Sequence, residues 1–125
     1  MSSRTIKIPG PDHPITSRRN PKRVIVTLGG TVIADTTDAI TLQEAAYPAV
    51  QYIPRKDVDM SGLVRSETTS YCPYKGKASY FSIASGGPRS VDAIWTYETP
   101  HDAVKEIEGH LAFYPDRIDA IEERD

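Results

Sequence analysis

The sequence predicts a mainly β domain with one short α-helix near its C-terminus, and three observations support this fold class. Runs of β-branched and aromatic residues recur at short intervals along the chain, as is typical of strands. Gly and Pro separate these runs, and Pro48 and Pro54 argue against a helix between them. The length of 125 residues fits one domain with a self-supporting core.

Residues 1–21 are predicted to form an irregular N-terminal arm, and residues 22–125 a single β-rich domain. The arm contains four prolines and shows no sustained hydrophobic periodicity. The domain is expected to open with a hairpin of strands 23–28 and 31–35. Its turn is Gly29-Gly30, because two glycines allow the positive φ values that a tight hairpin requires.

Further strands are predicted where short β-branched or aromatic segments follow one another. In segment 91–98, strict alternation places Val91, Ala93, Trp95 and Tyr97 on one apolar face. The remaining segments are 39–43, 50–53, 67–71, 78–83, 111–113 and 118–121.

The short helix is predicted between Thr99 and Gly109. Thr99 is suited to capping its start, Pro100 to its first position and Gly109 to the residue just past its end. Val104 and Ile107 would lie on one side of the helix and pack against a sheet.

Charge and composition argue against several classes of partner. Seventeen acidic side chains oppose fifteen Lys and Arg, giving a formal net charge of −2, so a nucleic-acid partner is not expected. The basic segment 18–23 is predicted to be a solvated tail that enters the first strand. No segment is apolar enough to predict a membrane span or a signal peptide, and we expect a cytoplasmic protein.

Cys72, the single cysteine, is the candidate nucleophile or redox centre, with His110 as a proton carrier. Lys75 and Lys77 lie close enough in sequence to favour a thiolate. Two structural alternatives stay open: a buried thiol, and a His110 that caps the last carbonyls of the helix. One thiol cannot form an intrachain disulfide or a Cys-rich zinc site, and the histidines lack metal-ligand spacing. No metal site and no cofactor are therefore predicted.

An aromatic groove with a basic rim is the second candidate site. Such a composition suits a small molecule with a polar or aromatic group, although the same aromatic residues also suit a protein core. The predicted ligand-binding residues are Tyr74, Lys75, Tyr80, Trp95, Tyr97, Phe113, Tyr114 and Arg117.

Three ordered motifs carry a family resemblance. Thr69-x-Tyr71-Cys72-Pro73-Tyr74-Lys75-Gly76-x-Ala78-Ser79-Tyr80, Trp95-x-Tyr97-x-x-Pro100 and the segment from Gly109 to Arg117 resemble the bacterial domain-of-unknown-function family 427. The resemblance runs from about residue 10 to residue 122. It implies the β-tent architecture also called Mss4-like, in which two antiparallel sheets are pinned at one edge.

The resemblance also carries two expectations about chemistry. Relatives with this architecture, such as methionine sulfoxide reductase B and the thalidomide-binding domain of cereblon, hold zinc with paired Cys-x-x-Cys motifs. A chain with Cys72 alone cannot, so packing would have to replace the metal. A nucleotidyltransferase label is sometimes attached to the family, but Asp57-Val58-Asp59 lacks the third acid expected of such a site.

Three functions are consistent with the sequence. A domain that binds an as yet unknown small molecule is the leading prediction. An enzyme that uses Cys72 is the first alternative, and a protein–protein adaptor is the second. The sequence leaves the ligand and the oligomeric state open.

Overall fold

The computed structural model describes residues 5–125 and confirms a mainly β fold. Within this range, three antiparallel sheets have the strand orders β1-β4-β5, β10-β2-β3 and β6-β7-β8-β9. The strands are β1 (Ile15–Arg19), β2 (Arg23–Leu28), β3 (Thr31–Thr36), β4 (Ile40–Glu44), β5 (Val50–Tyr52), β6 (Leu63–Cys72), β7 (Gly76–Ile83), β8 (Ile94–Thr96), β9 (Leu111–Phe113) and β10 (Ala120–Arg124). Short 3₁₀ segments lie between them at Arg55–Asp57, Met60–Gly62, Ala84–Ser90, Asp102–Ile107 and Pro115–Arg117.

The predicted hairpin is confirmed as strands β2 and β3. Gly29 and Gly30 form its turn with φ values of 59° and 77°, which a side chain would oppose. Strand β10 adds to the other edge of β2, so the hairpin becomes a three-stranded sheet.

The four-stranded central sheet presents two different faces because strand side chains alternate. Face A carries Ala78, Tyr80, Trp95, Tyr97 and Ala112, and face B carries Phe81, Ile83, Ile94, Leu111 and Phe113. Face B packs against the β10-β2-β3 sheet in the larger hydrophobic core. Face A packs against the β1-β4-β5 sheet in a second core.

The two three-stranded sheets therefore lie on opposite sides of the central sheet. The β1-β4-β5 sheet also meets the edge of the central sheet, where Ile53 and Leu111 exchange two backbone hydrogen bonds of 2.8 Å. Two sheets are expected, and residues 5–125 form three, because a three-stranded sheet covers each face of the central sheet.

The predicted N-terminal arm is not irregular throughout. Its residues Ile15–Arg19 form β1 and pair with β4 in antiparallel register from Ile15 opposite Glu44 to Arg19 opposite Ile40. The local sequence hides this strand, because Pro14 and Pro21 bracket only five paired residues and the partner lies some way along the chain.

The predicted α-helix is instead a 3₁₀ segment, Asp102–Ile107, which follows His101 rather than Thr99 and has no side-chain capping hydrogen bond at its start. Val104 departs from helical geometry with φ −127° and ψ 31°, so no continuous α-helix forms. The predicted burial of Val104 and Ile107 is confirmed, at 1% and 0% exposure. Within residues 5–125 there is no helix of the length and apolarity that crossing a bilayer demands.

Candidate ligand-binding site

Three half-buried aromatic side chains form a continuous surface at one end of face A. Tyr80 on β7 and Trp95 on β8 are direct cross-strand partners, so their side chains lie side by side. Tyr114, just after β9, lies with its ring centroid 4.4 Å from that of Trp95, at an interplanar angle of 44°. We call Tyr80, Trp95 and Tyr114 the aromatic surface.

Trp95 is held from beneath by Tyr52 of the β1-β4-β5 sheet. Its indole Nε1–H donates to the Tyr52 hydroxyl at 3.1 Å, and the two rings meet edge to face. Tyr52 is 1% exposed, and burial raises the pKa of its phenol above the ordinary value. The phenol therefore stays protonated, and its hydrogen bond with the indole fixes the orientation of the Trp95 ring.

The tyrosines of the aromatic surface supply hydroxyl groups. The Tyr80 hydroxyl forms a 2.8 Å hydrogen bond with the Ser70 hydroxyl on the neighbouring strand. Burial, together with the adjacent Tyr80 phenol, raises the pKa of Tyr114 to about 12. Both phenols can thus donate or accept a hydrogen bond, while their rings offer apolar area.

Arg117 supplies positive charge at the rim of this surface. Its guanidinium carbon lies 5.9 Å from the Tyr114 ring centroid, within the range of a cation–π contact. The same guanidinium donates from Nη1 to the Val91 carbonyl at 2.8 Å. The Arg117 carbonyl in turn accepts a 2.8 Å hydrogen bond from the buried Ser90 hydroxyl, so the residue is anchored at both ends.

Four of the predicted ligand-binding residues lie elsewhere. Phe113 is on face B, 3% exposed in the larger core. Tyr97 is on face A but is 6% exposed within the second core. Tyr74 stacks on His13, with ring centroids 4.1 Å apart. Lys75 forms an ion pair with Glu44, so its charge is already engaged.

Glu44 is the centre of a small polar cluster between the sheets, here named the Glu44 cluster. Its carboxylate accepts hydrogen bonds from Lys75 Nζ and, at 2.7 Å, from His13 Nε2. Burial raises the pKa of Glu44, but the hydrogen bonds from Lys75 and His13 outweigh burial, so the pKa lies below its ordinary value. Lys75 Nζ also lies 5.9 Å from the Tyr97 ring centroid. The cluster ties β4 and the N-terminal segment to the β6–β7 turn.

Cys72 and His110, the predicted nucleophile and proton carrier, are not brought together. Cys72 ends β6 and packs, half-buried, against the second core. His110 immediately precedes β9, at the other edge of the central sheet. Three strand spacings separate these edges, which puts about 14 Å between the two backbones. The His110 ring instead lies 2.9 Å from the Glu108 carbonyl, in keeping with the capping alternative.

The carboxylates of Asp57 and Asp59 serve local structure. Asp57 accepts a 2.7 Å hydrogen bond from the Thr36 hydroxyl, and Asp59 accepts from the backbone and hydroxyl of Ser61. In the described part of the chain, no three His, Cys, Asp or Glu side chains converge as metal ligands.

Two residues that support the site were missed by sequence reasoning. Tyr52 lies in the predicted strand 50–53, next to the polar Gln51, and this position is compatible with a buried side chain. Nothing in the sequence indicates that its hydroxyl accepts a hydrogen bond from Trp95. Ser70 lies in the motif from Thr69 to Tyr80, and only the register of β6 with β7 places it near the Tyr80 hydroxyl.

The fold and its aromatic surface define a mainly β domain whose central sheet is covered on both faces and leaves half-buried aromatic residues at one end. The family model described as "Domain of unknown function (DUF427)" matches residues 16–124. The chain belongs to this family. A search of curated proteins finds no match. The finer β-tent architecture stays a prediction.

Proposed function

We propose that this chain is a binding domain for a small molecule that carries a flat ring and a polar or anionic group. The observation that carries the proposal is the convergence of Tyr80, Trp95 and Tyr114 with Arg117 at one end of face A. The rings provide a stacking surface, and the phenols and guanidinium provide directional polar contacts.

Pre-organisation supports this assignment. The Trp95 indole is fixed by Tyr52, the Tyr80 hydroxyl by Ser70 and the Arg117 backbone by Ser90. When the side chains of a site are already fixed, less conformational entropy is lost on binding than when the ligand has to order them. Side chains held in place in this way suit a ligand that stacks on them.

The enzyme alternative draws less support from the geometry. Lys75, one of the two cations expected to activate the Cys72 thiol, is paired with Glu44, and His110 lies across the central sheet. The adaptor alternative draws on Val64, which is 57% exposed opposite Ser82 on the face that carries Tyr80. An isolated exposed valine is common on protein surfaces, so this observation is weak.

The proposal is tested by the fluorescence of Trp95, the single tryptophan. The intact chain would be titrated with a panel of small aromatic and sugar compounds, each with and without a carboxylate or phosphate. We expect a saturable change in emission for compounds that carry both a ring and an anionic group, because Arg117 lies beside the stacking surface.

The matched variants are Tyr114→Leu and Tyr47→Leu. Tyr114→Leu keeps apolar volume but removes the ring beside Trp95, and binding should weaken about fivefold. Tyr47 is 61% exposed and has its ring contact with His13, so Tyr47→Leu should leave affinity unchanged. The proposal fails if no compound changes the emission, or if both variants weaken binding equally.

A further inference from the structure

A polar groove lies on the outer side of the β1-β4-β5 sheet, away from the aromatic surface. Thr41 and Gln51 line it, and in their strands they alternate with Leu42 and Tyr52, which are buried in the second core. The main cavity has a volume of about 630 Å³. A second cavity of about 270 Å³ shares Arg18, Thr41 and Ala49 with it, so the two form one groove.

The floor of the groove is organised by Asn20, which is 6% exposed. Its Nδ2 amide donates to Gln51 Oε1 at 3.0 Å and to Glu123 Oε1 at 2.7 Å. Its Oδ1 accepts from the Lys22 backbone N–H at 2.9 Å. A buried side chain with three hydrogen bonds holds its neighbours in fixed positions, so the groove is a built feature rather than a loose surface.

Gln51 is left with donor capacity toward the groove. Its Oε1 accepts from both Asn20 and the Thr41 hydroxyl. Within residues 5–125, its Nε2 amide forms no hydrogen bond. The two N–H groups of that amide are thus available to an acceptor in the groove.

Cationic side chains outnumber carboxylates in the lining of the groove, although two of the three cations have an acidic neighbour just outside it. Arg18, Arg19 and Lys22 line it together with a single carboxylate, Glu123. Arg19 is engaged by Asp38, and Lys22 Nζ lies 3.7 Å from the terminal residue Asp125. Arg18 lines both cavities and, among the described residues, its guanidinium has no hydrogen-bond or ion-pair partner. An uncompensated guanidinium beside free amide donors suits an oxyanion.

We propose that this groove binds a small phosphate monoester that also bears hydroxyl groups. Arg18 and Lys22 meet the phosphate, the Gln51 amide donates to one of its oxygens, and Glu123 accepts from a ligand hydroxyl. A phosphate monoester carries nearly two negative charges at neutral pH, which suits the unpaired guanidinium of Arg18 and the exposed ammonium of Lys22. The groove volume lies in the range of small-molecule sites. The basic segment predicted to be a solvated tail thus contributes its side chains to a site.

The test is an amide NMR titration of the intact chain with glycerol phosphate and with inorganic phosphate, using glycerol as the uncharged comparison. Both phosphates should give saturable shifts at the amides of Arg18, Lys22, Thr41 and Gln51, and glycerol should give none. If Glu123 recognises a hydroxyl, glycerol phosphate should bind more tightly than inorganic phosphate.

Two groove variants and one control make the test specific. Arg18→Met should weaken phosphate binding about tenfold, the loss expected for one charge-assisted hydrogen bond. Gln51→Glu keeps the acceptor oxygens for Asn20 and Thr41 but replaces the donor amide, and it should abolish binding. The control, Arg65→Met, removes the same charge from the distant Arg65–Glu98 pair and should change nothing.

The proposal is overturned if phosphate gives no saturable shifts, or if Arg65→Met weakens binding as much as Arg18→Met does. The latter would mean that phosphate responds only to overall charge. Because the shifts are read at groove amides and not at Trp95, failure here is separate from failure of the aromatic site.

Discussion

Glu44 illustrates how a half-buried carboxylate can hold separate parts of a fold together. Its side chain is 15% exposed and that of Lys75 13%, so the pair is partly removed from water. Such a pair strengthens a fold only when hydrogen bonds compensate for the loss of hydration. His13 and Lys75 supply those hydrogen bonds, and they come from segments on either side of Glu44 in sequence.

The effect of pH on stability follows from the lowered pKa of Glu44. A carboxyl whose pKa is lower in the folded than in the unfolded state adds stability above its ordinary value of 4.5, and that stability is lost as pH falls through the folded pKa. Glu44→Gln should therefore reduce the free energy of unfolding at neutral pH, by about 2 kcal/mol. The difference from wild type should shrink below pH 4.5. Urea unfolding of both proteins at a series of pH values would measure this difference in the free energy of unfolding.

Glu98→Gln is the matched control for this prediction. Glu98 pairs with Arg65 at the surface, where the two side chains are 42% and 52% exposed. Exposed pairs contribute little, so the change at neutral pH should be under about 1 kcal/mol. Equal losses in the two variants would contradict a special role for the Glu44 cluster.

At the scale of an element, the 3₁₀ segment Ala84–Ser90 depends on close backbone approach at Gly86. A Cβ placed on Gly86 would lie 2.0 Å from the Ser90 hydroxyl oxygen and 2.9 Å from a Leu28 methyl carbon. Ser90 is fully buried and hydrogen-bonds the Arg117 carbonyl, so it has little freedom to move aside. The missing side chain at Gly86 thus leaves room for Ser90, whose hydrogen bond to Arg117 joins the turn after β7 to the rim of the aromatic surface.

Gly86→Ala should lower the free energy of unfolding by about 2 kcal/mol, because the added methyl overpacks a filled site. Gly62→Ala offers a comparison, since a Cβ on Gly62 meets nothing within 4 Å. That change should stay within about 0.5 kcal/mol of wild type. Thermal or urea unfolding of both variants would measure the difference, and a neutral Gly86→Ala would refute the close-packing argument.

Sequence reasoning is most successful where an element depends on its own residues. Gly29-Gly30 specifies the hairpin, and Trp95 and Tyr80 lie in strands predicted from their own composition. It fails where a distant partner decides the outcome. All three residues of β9 are apolar and buried. The sequence therefore shows no alternation of polar and apolar residues that would indicate that Phe113 lies on face B. The capture of Lys75 by Glu44, across 31 residues of chain, leaves no local signal.

At the scale of the whole molecule, the central sheet joins two cores of different size. The larger core fills the space between face B and the β10-β2-β3 sheet, and the smaller core the space between face A and the β1-β4-β5 sheet. The β1-β4-β5 sheet meets the central sheet edge at the Ile53–Leu111 bridge. The β1-β4-β5 sheet packs against one core, whereas the central sheet packs against a core on each face. We therefore expect the β1-β4-β5 sheet to open at a lower free energy than the central sheet.

Native-state hydrogen exchange should separate these layers. We expect the amides of β7 and β8 to be the most protected, because neighbouring strands flank both. Leu42→Ala removes buried volume from the smaller core, at a cost of about 3 kcal/mol, and should lower the opening free energy of β1, β4 and β5 more than that of β2 and β3. Equal loss in every strand would instead indicate one cooperative unit.

The longest strand, β6, has a consequence for how this protein behaves among its own copies. It lies at the edge of the central sheet, yet its pairing with β7 shifts between Arg65 and Thr69. A shifted register bends and twists a strand, and an irregular edge cannot align its backbone with the same edge of a second molecule. The residues from Ser66 to Thr68 therefore interrupt the ten-residue edge strand, and we expect this interruption to disfavour edge-to-edge pairing between copies of the chain.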